Sequence, residues 1–195
     1  LHLSIRRQRQ MCIRDRYEDK YDICPYCGYK EGAPAKEAIH LAPGTVIGNK
    51  YIVGQSIGNG GFGVTYIGWD AVLNQKIAIK EYLPSEFSTR AMGVSNVTIF
   101  TGQKEEQFLS GVNKFMDEAR RLAKFKGVSG IVDIHDTFQA NNTAYIIMEY
   151  IDGETLKERL EREGKIPYEE ALKIMKPVVE AVSYTHLRAH ETGAY

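Results

Sequence analysis

The chain has 195 residues, with 25 basic residues balancing 25 acidic ones, 43% hydrophobic and 26% charged residues, and three cysteines. Such a balance gives no global attraction to nucleic acid, three cysteines make no disulfide framework, and no run of eighteen apolar residues is present to span a membrane. An ordinary globular protein of the cytoplasm is the expectation, with no nucleic-acid partner and membrane association left open.

In chain order, Arg6, Arg7, Arg9, Arg14 and Arg16 come first and, taken alone, read as a basic arm for nucleic acid or membrane. Cys24-Pro25-Tyr26-Cys27-Gly28 follows. A C-x-x-C ahead of glycine resembles one knuckle of a zinc ribbon, in which two such turns present four thiolates to Zn²⁺. A single knuckle is present, so Cys24 and Cys27 are candidate metal ligands, with a redox pair or unliganded cysteines as the alternatives. Residues 17–31 read as a ribbon remnant, and 32–44, with Gly32, Pro34, Pro43 and Gly44, as a linker.

The run Ile57, Gly58, Asn59, Gly60, Gly61, Phe62, Gly63 lies between a strand over Tyr51–Ile57 and another over Val64–Asp70. Glycines there let backbone amides close over phosphates where a side chain would collide. A dinucleotide-binding fold needs a helix to open at the glycines, so the hairpin excludes it. In the next strand Ala78 and Lys80 point one way while Ile77 and Ile79 point the other, which directs the Lys80 charge to the phosphates of ATP. Leu83–Gln103 is longer than a connector, has a possible short strand at Val97–Phe100, and offers no chemistry; steering the next helix is its expected use.

That helix spans Lys104–Lys126, with Phe108, Val112, Phe115, Ala119 and Leu122 as its buried stripe. Glu118 projects along the apolar side, where a charge needs a partner, and Lys80 is that partner; a solvated glutamate at the helix edge is the alternative. Strands Ile131–Gln139 and Thr143–Glu149 meet at an Asn141-Asn142 turn. Helices Thr155–Glu163 and Tyr168–Tyr184 end the reading, the second with Leu172, Met175, Val178, Val179 and Val182 on one stripe.

Ile77-Ala78-Ile79-Lys80, Phe115-Met116-Asp117-Glu118-Ala119 and Ile147-Met148-Glu149-Tyr150-Ile151-Asp152-Gly153 together resemble the N-terminal part of a bacterial eukaryotic-type serine/threonine protein kinase. Lys80-Glu81-Tyr82-Leu83-Pro84 resembles its "KEYxP" variant. The resemblance implies an α+β fold: a small lobe of five antiparallel strands plus the helix of Glu118, then the first helices of a truncated large lobe, the kinase part covering 45–182. It implies Lys80 and Glu118 as catalytic residues, ATP with Mg²⁺, and a protein substrate. Thr65 stands where the family usually has valine against adenine, and Ala78 lies under the ring. Backbone groups around Glu149 and Ile151 would read adenine. Met148 would back the pocket, or simply pack in the core, and Asp152 and Glu154 are the ribose candidates.

No His-Arg-Asp and no Asp-Phe-Gly occurs in the sequence. The family's hydroxyl-placing aspartate and magnesium ligands are therefore not in this chain, which is expected to be inactive by itself. Residues 1–16 and 183–195 resemble translated sequencing-adapter read-through and are expected to be non-native. The alternative to a kinase is a nucleotide-binding pseudokinase or a ribbon-bearing interaction module.

Overall fold

The computed structural model describes the backbone of residues 34–191 and the side chains of residues 34–183. The ribbon remnant with Cys24 and Cys27, and the segment 1–16, lie outside the described residues. Among the described residues no three His, Cys, Asp or Glu side chains are grouped to hold a metal ion, and no helix is long and apolar enough to cross a membrane.

The strands are β1 (Val46–Ile47), β2 (Tyr51–Gly60), β3 (Gly63–Asp70), β4 (Gln75–Tyr82), β5 (Ser88–Thr89), β6 (Thr98–Ile99), β7 (Ile134–Ala140) and β8 (Thr143–Glu149). Six of them form a central antiparallel sheet in the order β1-β2-β3-β4-β8-β7. The strand beyond the expected five is β1, two residues paired with Ile52 and Tyr51, too short to leave an alternating pattern in the sequence. Asn141 and Asn142 both adopt left-handed backbone, at φ 54° and 60°, and close the β7–β8 hairpin as expected.

One face of the sheet is covered by α1 (Gln103–Leu122), whose buried residues are Phe108, Val112, Phe115, Met116 and Ala119. Tyr82 on β4 meets the rings of Phe108 and Phe115 at 5.2 and 5.4 Å between centroids. A 3₁₀ turn over Ala123–Phe125 ends the helix.

The opposite face is also covered, and the segment Leu83–Gln103 does it. Here β5 pairs with β6, so the segment folds back as a small hairpin. Beside it the segment 37–45 runs across the sheet as a strap. Its Leu41 amide donates to the Tyr66 hydroxyl, and His40 packs edge-on against the Tyr66 ring. The segment, in which the sequence offered no chemistry, delivers Arg90 into the core, where it pairs with Glu81.

After the hinge come α2 (Leu156–Glu163) and α3 (Tyr168–Glu191). Thr155 is the N-cap of α2, closing a reciprocal box with Glu158, so the helix begins one residue later than expected. The apolar stripe of α3 is exposed as anticipated, with Leu172, Met175, Val178, Val179 and Val182 each about half open to water.

Candidate functional site

Strand register brings most of the expected residues to one face. Opposite residues on antiparallel strands share a face. Gly58 is opposite Thr65, Thr65 opposite Lys80, Ile67 opposite Ala78, and Ala78 opposite Met148. Thr65, Ala78, Lys80 and Met148 therefore form one patch beside the glycine hairpin, on the same face as Tyr82.

The hairpin itself is tight. Gly60 pairs with Gly63, leaving Gly61 and Phe62 at the tip, and Phe62 and Ile57 are exposed. Its glycines differ in why they are there. Gly63 has φ +145°, and a Cβ on it would come within 1.9 Å of the Glu81 carbonyl oxygen. A Cβ at Gly60 or Gly61 would meet nothing within 4 Å. Internal packing requires glycine at 63 and does not require it at 60 or 61, so their selection points outward, to something that approaches the backbone closely. Gly63→Ala is expected to cost on the order of 2–3 kcal/mol in urea unfolding, and Gly60→Ala under about 1 kcal/mol. Equal losses in the two variants would remove this distinction.

Lys80 is half-buried, its ammonium 5.7 Å from the centroid of the Phe115 ring on α1. Among the described residues no ion pair joins it to Glu118, which is exposed. The expectation that Glu118 lies on the buried side is corrected. It directly precedes the fully buried Ala119, and one residue turns an α-helix by about 100°, so Glu118 falls on the flank of the stripe. Phe115, a turn earlier, takes the place over Lys80.

At the hinge, the Glu149 amide donates to the Asp133 carbonyl at 2.9 Å, and its carboxylate accepts from the Asp133 amide at 2.9 Å. Ile151 and Asp152, in the chain's turn into α2, are exposed. Glu154 is committed to Arg162, which donates to both of its carboxylate oxygens, so a ribose would have to compete with that pair. Lys76 lies 4.4 Å from the Tyr150 ring centroid and steadies the hinge from β4.

The sequence reading missed a buried polar network that is the most heavily hydrogen-bonded carboxylate site among the described residues. Glu81, fully buried, accepts four hydrogen bonds: two from Arg90, one from the Tyr66 hydroxyl at 2.8 Å and one from the Tyr145 hydroxyl at 2.7 Å. Arg90 also donates to the Ile39 carbonyl at 2.9 Å and the Ser95 carbonyl at 3.1 Å. Burial works to lower the Arg90 pKa, but the Glu81 carboxylate outweighs it and the net direction is upward. Burial, reinforced by the Glu81 charge, pushes the Tyr66 and Tyr145 hydroxyls far above the ordinary tyrosine value of 10. Tyr51, which donates to Asp136, is pushed up to about 12, chiefly by burial.

A raised folded pKa stabilises below the unfolded value, and that stability is lost as pH rises past it. For these three tyrosines the loss begins near pH 10. An absorbance titration at about 295 nm should show Tyr51, Tyr66 and Tyr145 ionising only above the ordinary tyrosine value of 10 and together with loss of the folded circular dichroism signal. A single transition of all twelve tyrosines in a chain that stays folded would contradict the burial of this network.

Comparison with known proteins places this geometry. Residues 51–190 match the family model described as protein kinase domain, and the chain belongs to that family. It is 32% identical over 143 residues to the probable serine/threonine-protein kinase CA_C1728 of Clostridium acetobutylicum, a match covering 73% of this chain and 19% of that protein. Against serine/threonine-protein kinase PrkC of Bacillus subtilis it is 29% identical over 143 residues, covering the same shares, and against PknG of Mycolicibacterium smegmatis 27% over 168 residues, covering 84% and 19%. The chain thus spans about a fifth of the length of these relatives. Among solved structures, the apo form of PpkA-294 superimposes with a TM-score of 0.60 at 31% identity, over 64% of this chain and 43% of that one. The kinase domain of Mycobacterium tuberculosis PknI gives 0.56 at 22% identity, over 76% and 52%, which speaks for the fold alone.

Proposed function

We propose that residues 45–182 are the ATP-binding part of a protein kinase that transfers the γ-phosphoryl of ATP to serine or threonine hydroxyls of proteins. The observation that carries this reading is the register that groups Thr65, Ala78, Lys80 and Met148 beside a hairpin whose Gly60 and Gly61 no packing requires. Adenine lies between Thr65 and Ala78 with Met148 behind it, the Glu149 carbonyl and the Ile151 backbone read its edge, and Asp152 or Glu154 faces the ribose. Lys80 holds the α/β-phosphates under the hairpin amides. Its pairing with Glu118 requires α1 to turn so that Glu118 replaces Phe115 over the ammonium. The cation–π contact with Phe115 is weak, about 0.5–1 kcal/mol, so little opposes that turn.

The sequence contains neither of the family's magnesium-binding segments. Zinc at Cys24 and Cys27 rests on their spacing alone, and the cytoplasm as the protein's place on composition alone. Saturation-transfer NMR, which reads millimolar binding, is expected to show the adenine protons of ATP in contact with the 195-residue chain, an effect weakened by Gly60→Ala and Lys80→Ala. The same chain with radiolabelled MgATP and a generic protein substrate is expected to transfer no phosphoryl group. A folded chain that gives no adenine signal sinks the nucleotide reading. Lys80-dependent incorporation of label would show instead that the chain is catalytically sufficient.

A further inference from the structure

The buried carboxylate of Glu81 sits next in sequence to Lys80, and strand alternation puts the two side chains on opposite faces of β4. Everything that fixes Glu81 therefore fixes the strand segment that presents Lys80. Its hydrogen-bond partners come from three separate elements: Tyr66 on β3, Tyr145 on β8, and Arg90 on the segment folded over the outer face. The backbone of the same residue is the seat of the glycine hairpin. The Glu81 carbonyl is the atom that leaves no room for a side chain at Gly63, and the Leu83 amide donates to the Phe62 carbonyl at 3.2 Å. The strap takes part as well, because Arg90 donates to Ile39 and Tyr66 accepts from Leu41.

We propose that Glu81 and Arg90 are a positioning pair for Lys80, setting the height of the lysine strand against the glycine hairpin from the outer face of the sheet, with the strap 37–45 as the lid that keeps water from the pair. The inference rests on Lys80 being the phosphate-directing lysine. Four donors saturate the Glu81 carboxylate, so its placement is over-determined, as a positioning group demands and a solvated ion pair does not provide. Neither residue touches the nucleotide face. Each acts through Lys80 and Gly63.

The test reads the placement of Lys80 directly in the 195-residue chain. An acyl-phosphate derivative of ATP acylates an amine held against the phosphates: the lysine nitrogen bonds to the acyl carbon, the acyl–phosphate bond breaks, and ATP leaves. Peptide mapping by mass spectrometry then compares Lys80 with Lys76 and Lys104. In the wild-type chain Lys80 should be labelled and excess ATP should protect it. Glu81→Gln and Arg90→Met should each lower labelling at Lys80 about tenfold while Lys76 and Lys104 are labelled as before, in samples held well below their thermal midpoints. Deletion of residues 1–41 should have the same effect and add little to Arg90→Met, since both open the same network.

Wild-type labelling of Lys80 in folded Glu81→Gln and Arg90→Met chains overturns the inference and shows the pair to be merely structural. Should either variant fail to fold, Tyr145→Phe carries the test. It removes one of the four donors without burying a lone charge, and it should lower Lys80 labelling several-fold; no change there overturns the proposal equally. Wild-type labelling that ATP does not protect overturns the nucleotide reading, and this inference with it.

Discussion

Lys80→Ala should abolish phosphoryl transfer in a protein where residues 34–182 run on into His-Arg-Asp and Asp-Phe-Gly segments. The loss expected is at least a factor of about 10² in kcat, the size seen when one preorganised charge aimed at a transition state is removed. Stability should barely change. Lys80 is half-buried, and its contact with the Phe115 ring at 5.7 Å is an interaction of roughly 0.5–1 kcal/mol. Lys80→Arg should fail too, because a planar fork does not reproduce a compact ammonium under a hairpin this tight. Turnover near wild type in Lys80→Ala would refute the assignment.

The largest effect on stability should come from a residue away from the nucleotide face. Arg90→Met leaves the Glu81 carboxylate buried with two tyrosine hydroxyls and no positive charge. Breaking a buried pair from one side costs about 3–5 kcal/mol. The Ile39 and Ser95 carbonyls lose their donor in the same step. Adding Glu81→Gln should recover part of the loss, since no naked charge is then buried and the amide oxygen still accepts from a tyrosine. Urea unfolding of the single and double variants reads both quantities. An Arg90→Met midpoint equal to wild type would mean that water reaches Glu81.

The sequence made the local elements legible because each rests on short-range physics. The glycine hairpin, the alternation of Ala78 and Lys80, the stripe from Phe108 to Ala119 and the asparagine turn all follow from periods of about two or 3.6 and from left-handed backbone. The site patch then followed from register. Glu118 was misplaced because periodicity gives the buried face of a helix but not how far a flanking residue can reach; that depends on how α1 docks as a body. Glu81 was legible and went unread. It continues the alternation Ile77, Ile79, Glu81, which puts a carboxylate in an apolar row, the same argument that was applied to Glu118. Arg90 was not legible, since nothing local in Leu83–Gln103 says that its hairpin folds back over the sheet.

The outer-face network also bears on the order in which the protein assembles. Arg90 meets Ile39 across 51 residues of chain, Leu41 meets Tyr66 across 25, and Tyr145 meets Glu81 across 64, whereas the β2–β3 and β7–β8 hairpins close locally. Loop closure delays contacts of that separation relative to the two hairpins, so the hairpins are expected to close first and the strap's bonds through Ile39 and Leu41 after them. Bonds made after the folding barrier do not speed folding; they slow escape from the native state. The strap, tied down by Arg90 through Ile39 and by Tyr66 through Leu41, is thus expected to act as a latch on the lifetime of the folded lobe, slowing its unfolding more than it speeds its folding.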